Sequence, residues 1–358
     1  VAEGDPPTEV VAGRNVRWKA PLPGLGSSTP VVWKDRIFVT CGIEGKDAVL
    51  AFDASGRELW RELLGAERKG KHKGAGSGSN PSAVVDGEHV FVYFKSGTLA
   101  ALTLDGEVAW KRNLQEDLVP DGLLWDLGTS PVLAGGNLVV AIIHDHHPSW
   151  LLAVDKKTGK NVWKTQRDTG AVEESKDAYT TPVVVEVEGV ETIVSWGADE
   201  LTGHEAASGK LLWRHGGFNP KKKHNWRVIA SAPCTAGVAL VPFARGKEVA
   251  GVRLGGTGDT TKSHRLWTHE GVGTDAATPV AGDGKFFVLV DQGPKRGTVA
   301  CIEALSGREL WRTRLPKSPV VYYASPLVVG SRLYAARSDG MLLSARISES
   351  GLTELKES

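Results

Sequence analysis

The 358-residue chain carries 43 Lys and Arg against 42 Asp and Glu, a net charge of +1, so no global field draws it onto nucleic acid or an anionic membrane. Forty-three Gly, 18 Pro and 12 Trp beside a single Met describe a turn-rich protein of many short strands. No run reaches the roughly 18 apolar residues of a membrane-spanning helix, and Cys41, Cys234 and Cys301 are too few and too scattered for a disulfide framework.

Residues 1–13 read as an N-terminal extension, and the opening Val-Ala-Glu-Gly suggests a processed export substrate with a periplasmic or envelope location. From residue 14 onward the chain repeats itself. A truncated copy, "VRW", ends at Trp18; then come "FDASGRELW" to Trp60, "LDGEVAW" to Trp110, "VDKKTGKNVW" to Trp163 and "HEAASGKLLW" to Trp213. A degenerate "SHRLW" ends at Trp267, and "IEALSGRELW" ends at Trp311. The seven tryptophans recur with a period of about 49 residues.

Between tryptophans each unit begins at a Ser/Thr/Ala-Pro or Asn-Pro step, runs through an apolar stretch such as "TPVVV" at 181, and turns at a Gly or Asp pair. Pro at the first position of a strand removes the ladder N–H that costs least. Two further strands follow across a hairpin, and no amphipathic helical period is present. Four short antiparallel strands per unit of this length, called A to D, predict an all-β fold: a single β-propeller over 14–358. Seven blades are expected, the last closed by the N-terminal strand around Trp18 paired with "SPLVVGSRLYAARSDGMLLSARI"; the alternative is an eight-bladed ring with an incomplete last blade. The repeat tryptophans are read as scaffold, docking each blade on its neighbour.

The pattern A-x-D-x-x-T/S-G-x-x-x-W, present as "AFDASGRELW" and "AVDKKTGKNVW", resembles the repeat of pyrroloquinoline-quinone (PQQ)-type propellers, a bacterial family related to the outer-membrane assembly lipoprotein BamB. The resemblance covers roughly residues 14 to 350 and implies a non-catalytic, exported propeller that scaffolds protein interactions. The quinoprotein dehydrogenases that share the repeat imply a second reading, a quinone- or metal-dependent oxidoreductase; a third is a propeller that binds a carbohydrate or other small ligand in its central channel. Their adjacent-cysteine disulfide and haem-attachment motif have no counterpart in this chain, so PQQ is not expected as a cofactor and no catalytic residue carries over.

Strand parity puts the D-to-A connections and the B-to-C hairpins on one face. That face holds the long connections 64–80, 114–130, 165–181 and 215–232. Long loops on a rigid scaffold are where binding residues collect. Lys69, Lys71, His72 and Lys73 form one basic tract and Lys221, Lys222, Lys223 and His224 another, with acids at Glu116, Asp117, Asp121, Asp126, Glu173, Glu174 and Asp177. The interaction-face candidates are Lys71, His72, Trp125, Asp126, Tyr179, Lys222, Trp226 and Arg227, meeting a protein partner; the propeller is expected to be monomeric and to bind no nucleic acid. On the same face "HDHHPSW" forms the B-to-C hairpin of the third blade. Its His144, His146 and His147 are the candidate metal ligands, although zinc wants three or four and an extended hairpin puts only two on one side. The alternative is a solvated or partner-contacting turn.

Overall fold

A computed structural model describes residues 6–72 and 76–358; Lys73 of the first basic tract and residues 1–5 lie outside the described residues. Among the described residues the strands form seven sheets, each built on four antiparallel strands in chain order; the fourth also takes Gly258–Asp259 as a fifth, parallel strand. The first sheet is Val31–Trp33, Arg36–Ile43, Lys46–Asp53 and Glu58–Ala66; the third is Val132–Ala134, Asn137–Ile142, Trp150–Val154 and Asn161–Gln166. This is the strand complement of a seven-bladed β-propeller. The two central strands of the first six sheets are almost wholly buried, which is why most of their sequences are nearly continuous in Val, Ile, Leu and Ala. The only helices among the described residues are single turns, Leu114–Asp117 and the 3-10 turn Glu173–Lys176.

The count of seven agrees with the repeat, but the strand that completes the seventh sheet is not the expected one. Leu327–Val329, Arg332–Ala336 and Leu342–Ser348 are joined by Gly351–Glu357, so the C-terminal segment supplies its own fourth strand. This strand has no tryptophan. Leu352 and Leu355 pack instead against the cluster of Trp311, Leu333 and Leu343, which is enough apolar surface to seat it. Trp18 lies in no strand of the seventh sheet, and no eighth sheet occurs among the described residues.

The chain divides into two compact units. One takes in residues through Arg17, Trp213–Lys221 and Val228–Ser358; the other is Trp18–Leu212 with Lys222–Arg227. In the second unit one apolar cluster joins Phe38, Val49 and Ala51 of sheet 1 to Val90, Val92 and Leu102 of sheet 2, and another joins sheets 3 and 4. In the first unit the corresponding clusters join sheets 5 and 6, and sheets 6 and 7.

The repeat motif acts at these junctions. Asp53 accepts from the Ser55 hydroxyl and from the backbone N–H groups of Ser55 and Arg57, which fixes the C-to-D turn and draws its carboxyl down to about 2. The turn glycine one blade along then receives the preceding tryptophan. Trp60 lies over Gly106 and donates from Nε1 to Leu104 O at 2.9 Å; Trp110 lies over Gly159 and donates to Lys156 O at 2.7 Å. Trp18, Trp163 and Trp267 repeat the arrangement on Ala54, Ala206 and Ala304. Trp213 departs from it: its ring nitrogen is buried without a partner. The next turn is the degenerate "SHRLW" copy, whose Gly258–Asp259 pairs in parallel with Trp213 and Arg214 instead of presenting a turn glycine to the indole.

A second junction was present in the sequence only as a recurring Ser or Thr. In one unit Thr29 N donates to Ser82 Oγ, Ser82 N to Ser130 Oγ and Ser130 N to Thr181 Oγ1, at 2.8, 2.9 and 3.0 Å. In the other, Ser231 N donates to Thr278 Oγ1 and Thr278 N to Ser325 Oγ, both at 3.0 Å. Each hydroxyl thus satisfies a backbone N–H just ahead of the preceding sheet's first strand.

Candidate functional site

The expected face contains one continuous hydrogen-bonded cluster, all within the unit Trp18–Leu212 plus Lys222–Arg227. Its root is Lys95, in the B-to-C hairpin "KSG" of sheet 2. Lys95 is 1% exposed and forms an ion pair with Asp126 of the 114–130 loop. Asp126 also accepts from the backbone N–H groups of Lys71 at 2.7 Å and His72 at 2.9 Å. Burial pushes this carboxyl up, but the ammonium and the two N–H donors prevail and hold it below the usual carboxylate range. One buried ion pair therefore fixes loop 64–80 against loop 114–130.

A second anchor lies beside it. Asp177, 1% exposed, accepts from Leu124 N through Oδ2 and from Asp145 N through Oδ1, both at 2.9 Å. Burial raises its carboxyl above the ordinary value despite these bonds. The Tyr179 hydroxyl accepts from Trp125 N at 3.1 Å and donates to Asp177 at 3.3 Å. Trp125 Nε1 donates to Glu174 at 3.3 Å, Glu174 pairs with Arg227 at 3.8 Å, and Ser175 N donates to His224 O at 2.9 Å. The 143–149 hairpin, the 165–181 loop and residues 222–227 are thereby tied to the same cluster.

What this frame holds up is apolar. Leu124 and Trp125 are 49% and 40% exposed, although both of their backbone N–H groups are bonded to side chains beneath them. Lys71 Nζ donates to Leu123 O and Leu124 O at 3.1 and 3.0 Å, and the His72 ring stands edge-on to Trp125 at 6.0 Å. Solvent-facing aromatics are usually mobile; this one is pre-positioned.

Of the sequence candidates, Lys71, His72, Trp125 and Lys222 are exposed as expected, and Trp226 is half-buried. Three are corrected. Asp126, Tyr179 and Arg227 are buried, at 9%, 5% and 8% exposure, because each satisfies groups of a neighbouring loop; they build the face without being its surface. Lys95 and Leu124 were missed. The one available signal for Lys95 was a lysine in the second sheet's B-to-C turn, where the sixth sheet's turn has Asp291.

The histidines do not converge. His144 is buried at 2% exposure against Gly122, where a Cβ would collide with its Nδ1, while His146 is exposed beside Asp145. His147 is half-buried with its ring 5.7 Å from that of His144. Among the described residues no group of three or more His, Cys, Asp or Glu is placed to hold a metal ion, which corrects the metal reading of His144, His146 and His147. Both His144 ring nitrogens lack partners, and burial pushes the imidazole down to about 4. Trp150 begins a strand, as expected, with Lys164 Nζ 4.1 Å from its ring centroid.

Two hollows adjoin the cluster. A cavity of about 30 Å³ lies among Tyr93, Lys95, Leu123, Leu127 and Ile143, room for a water or two. A groove of about 460 Å³ runs past Gly65, Arg68, Thr98, Lys111, Arg112 and Glu116. Its cations are already engaged: Arg68 by Asp121, Arg112 by Asp117 and Lys111 by Leu64 O.

The profile of the family described as outer membrane protein assembly factor BamB matches residues 9–146, 105–262 and 257–352. The chain belongs to the BamB family. No curated protein sequence matches it significantly. Among solved structures, BamB from Moraxella catarrhalis superposes with a TM-score of 0.66 at 17% identity, covering 93% of this chain and 88% of that one. A europium-containing methanol dehydrogenase gives 0.65 at 10% identity, covering 92% and 77%. The quinohemoprotein alcohol dehydrogenase ADHIIG from Pseudomonas putida HK5 gives 0.62 at 13%, covering 95% and 67%. At these identities the likeness establishes the β-propeller fold shared by BamB proteins and the dehydrogenases.

This BamB-family chain has no adjacent-cysteine pair of the kind found in the quinone-binding proteins that share the repeat. Its three cysteines are free, Cys41 and Cys301 are buried, and none adjoins another in sequence. The donor set for a partnering metal is missing among the described residues as well.

Proposed function

We propose that this BamB-family propeller is an exported scaffold that binds a protein partner through the Leu124–Trp125 surface and performs no catalysis. The observation that carries the reading is the pinning of an exposed Leu–Trp pair by Asp177, Tyr179, Glu174 and Lys71. Holding an aromatic anchor in place before binding removes the ordering cost that association otherwise meets. An envelope location follows from the family, and among the described residues no helix is long and apolar enough to cross a membrane.

Capture from envelope extract by the immobilised protein, compared with Trp125→Ala, tests the reading. Partners retained by the wild type are expected to fall by about tenfold or more with the variant, since a central interface tryptophan is worth about 2 kcal/mol or more. An unchanged set of captured proteins refutes the assignment of this face.

A further inference from the structure

We infer that the segment recognised here is acidic: a stretch of a partner protein whose carboxylates meet the lysines beside Trp125 while one aromatic or aliphatic side chain seats on Leu124 and Trp125. The inference rests on the interaction reading above and adds the chemistry of the partner.

In sequence the acidic and basic tracts look balanced. In the fold they are not, because most of the acids are paired with cations or buried. Asp126 is spent on Lys95, Asp121 on Arg68, Asp117 on Arg112 and Asp145 on Lys176, while Asp177 is buried beneath backbone N–H groups. The lysines face solvent. Lys69, Lys71 and Lys222 are exposed, and none of the three has a carboxylate partner among the described residues; the Lys71 ammonium donates only to two carbonyl oxygens. Lys223 and His224 are exposed beside them.

These charges flank the apolar pair. His72, at the end of the first basic loop, touches Trp125 directly. The second basic loop is fixed nearby by Ser175 N to His224 O, next to the Glu174 that holds the indole. An apolar anchor between two cationic loops is complementary to an acidic segment with one large side chain. A flat anionic membrane suits it less well, because Glu116 and Glu173 also project from these loops and would be pressed against lipid phosphates.

The test pans a phage-displayed library of random dodecapeptides against the intact protein and measures the enriched peptides by fluorescence anisotropy. Enrichment of peptides rich in Asp and Glu with one Trp, Phe or Leu is expected. Their affinity should fall about thirtyfold with Trp125→Ala and about fivefold with Lys222→Glu, return with Lys222→Arg, and weaken as salt rises. Enrichment of basic or uncharged peptides overturns the inference, as does binding indifferent to Lys222→Glu. Trp125-dependent binding to phosphatidylglycerol vesicles without acidic enrichment also overturns it, in favour of lipid. If envelope capture stays sensitive to Trp125 while charge reversal has no effect, the partner chemistry falls and the interaction reading survives.

Discussion

At the residue scale, the decisive groups are charged side chains that sequence reading assigns to the surface and the fold takes inside. Lys95 and Asp126 form such a pair. Removing one partner strands the other charge, so Lys95→Met is expected to cost about 3–5 kcal/mol in urea unfolding, far more than an exposed lysine change. The buried histidines set the pH response. Burial holds His144, His204 and His215 at about 4 against an ordinary 6.5. In the window between those values the unfolded chain binds protons that the folded one refuses, so their contribution is complete above pH 6.5 and is lost as pH falls toward 4. Asp47 opposes them. Burial raises its carboxyl from 3.8 to about 6, so its contribution is present at low pH and is lost as pH rises through 6. Asp177 and Asp291, also raised by burial, act on the side of Asp47 but less strongly, and the three imidazoles outweigh these carboxyls, so the urea midpoint should fall from pH 6.5 to 4.5. His144→Gln should flatten that decline and Asp47→Asn should steepen it.

At the element scale, the C-to-D turn does two jobs, reversing the chain and offering a bare glycine to the indole of the preceding sheet. At Gly159 the backbone is left-handed, with φ +68°, and a Cβ would sit 2.6 Å from the Trp110 ring. Gly136, with φ +75°, has nothing within 4 Å. Gly136→Ala therefore bears only the left-handed strain, about 1 kcal/mol, whereas Gly159→Ala adds displacement of the indole and should cost about 3 kcal/mol. Comparison of the two denaturation midpoints separates the effects; equal losses would mean that the tryptophan stack contributes nothing. Trp213 shows the same rule from the other side, since where the turn motif decays the indole nitrogen loses its acceptor.

At the scale of the whole molecule, the fold is common to the BamB family and to dehydrogenases that include a quinohemoprotein alcohol dehydrogenase, so the fold alone does not separate the two uses. Pyrroloquinoline quinone with calcium is expected to give neither an absorbance change nor a thermal shift, because saturating ligand at a hundredfold Kd would add about 2.7 kcal/mol if a site existed. A saturable shift would return the oxidoreductase reading.

The sequence by itself determined the seven-sheet propeller. Each Asp, Ser or Thr, Gly and Trp of the motif acts within its own turn or on the sheet one period away, so the physics repeats wherever the letters do. It also located the long-loop face, because loop length and strand parity are countable. Which residues form that face's surface was decided only in three dimensions. Asp126 meets Lys95 across 31 residues and Trp125 meets Tyr179 across 54, and whether a charge is buried, paired or free depends on those contacts. Burial converts Asp126 and Asp177 into supports and leaves Leu124, Trp125 and the lysines Lys69, Lys71 and Lys222 outside. No local pattern encodes that exchange, since it is set by the desolvation of each side chain in the company the fold gives it.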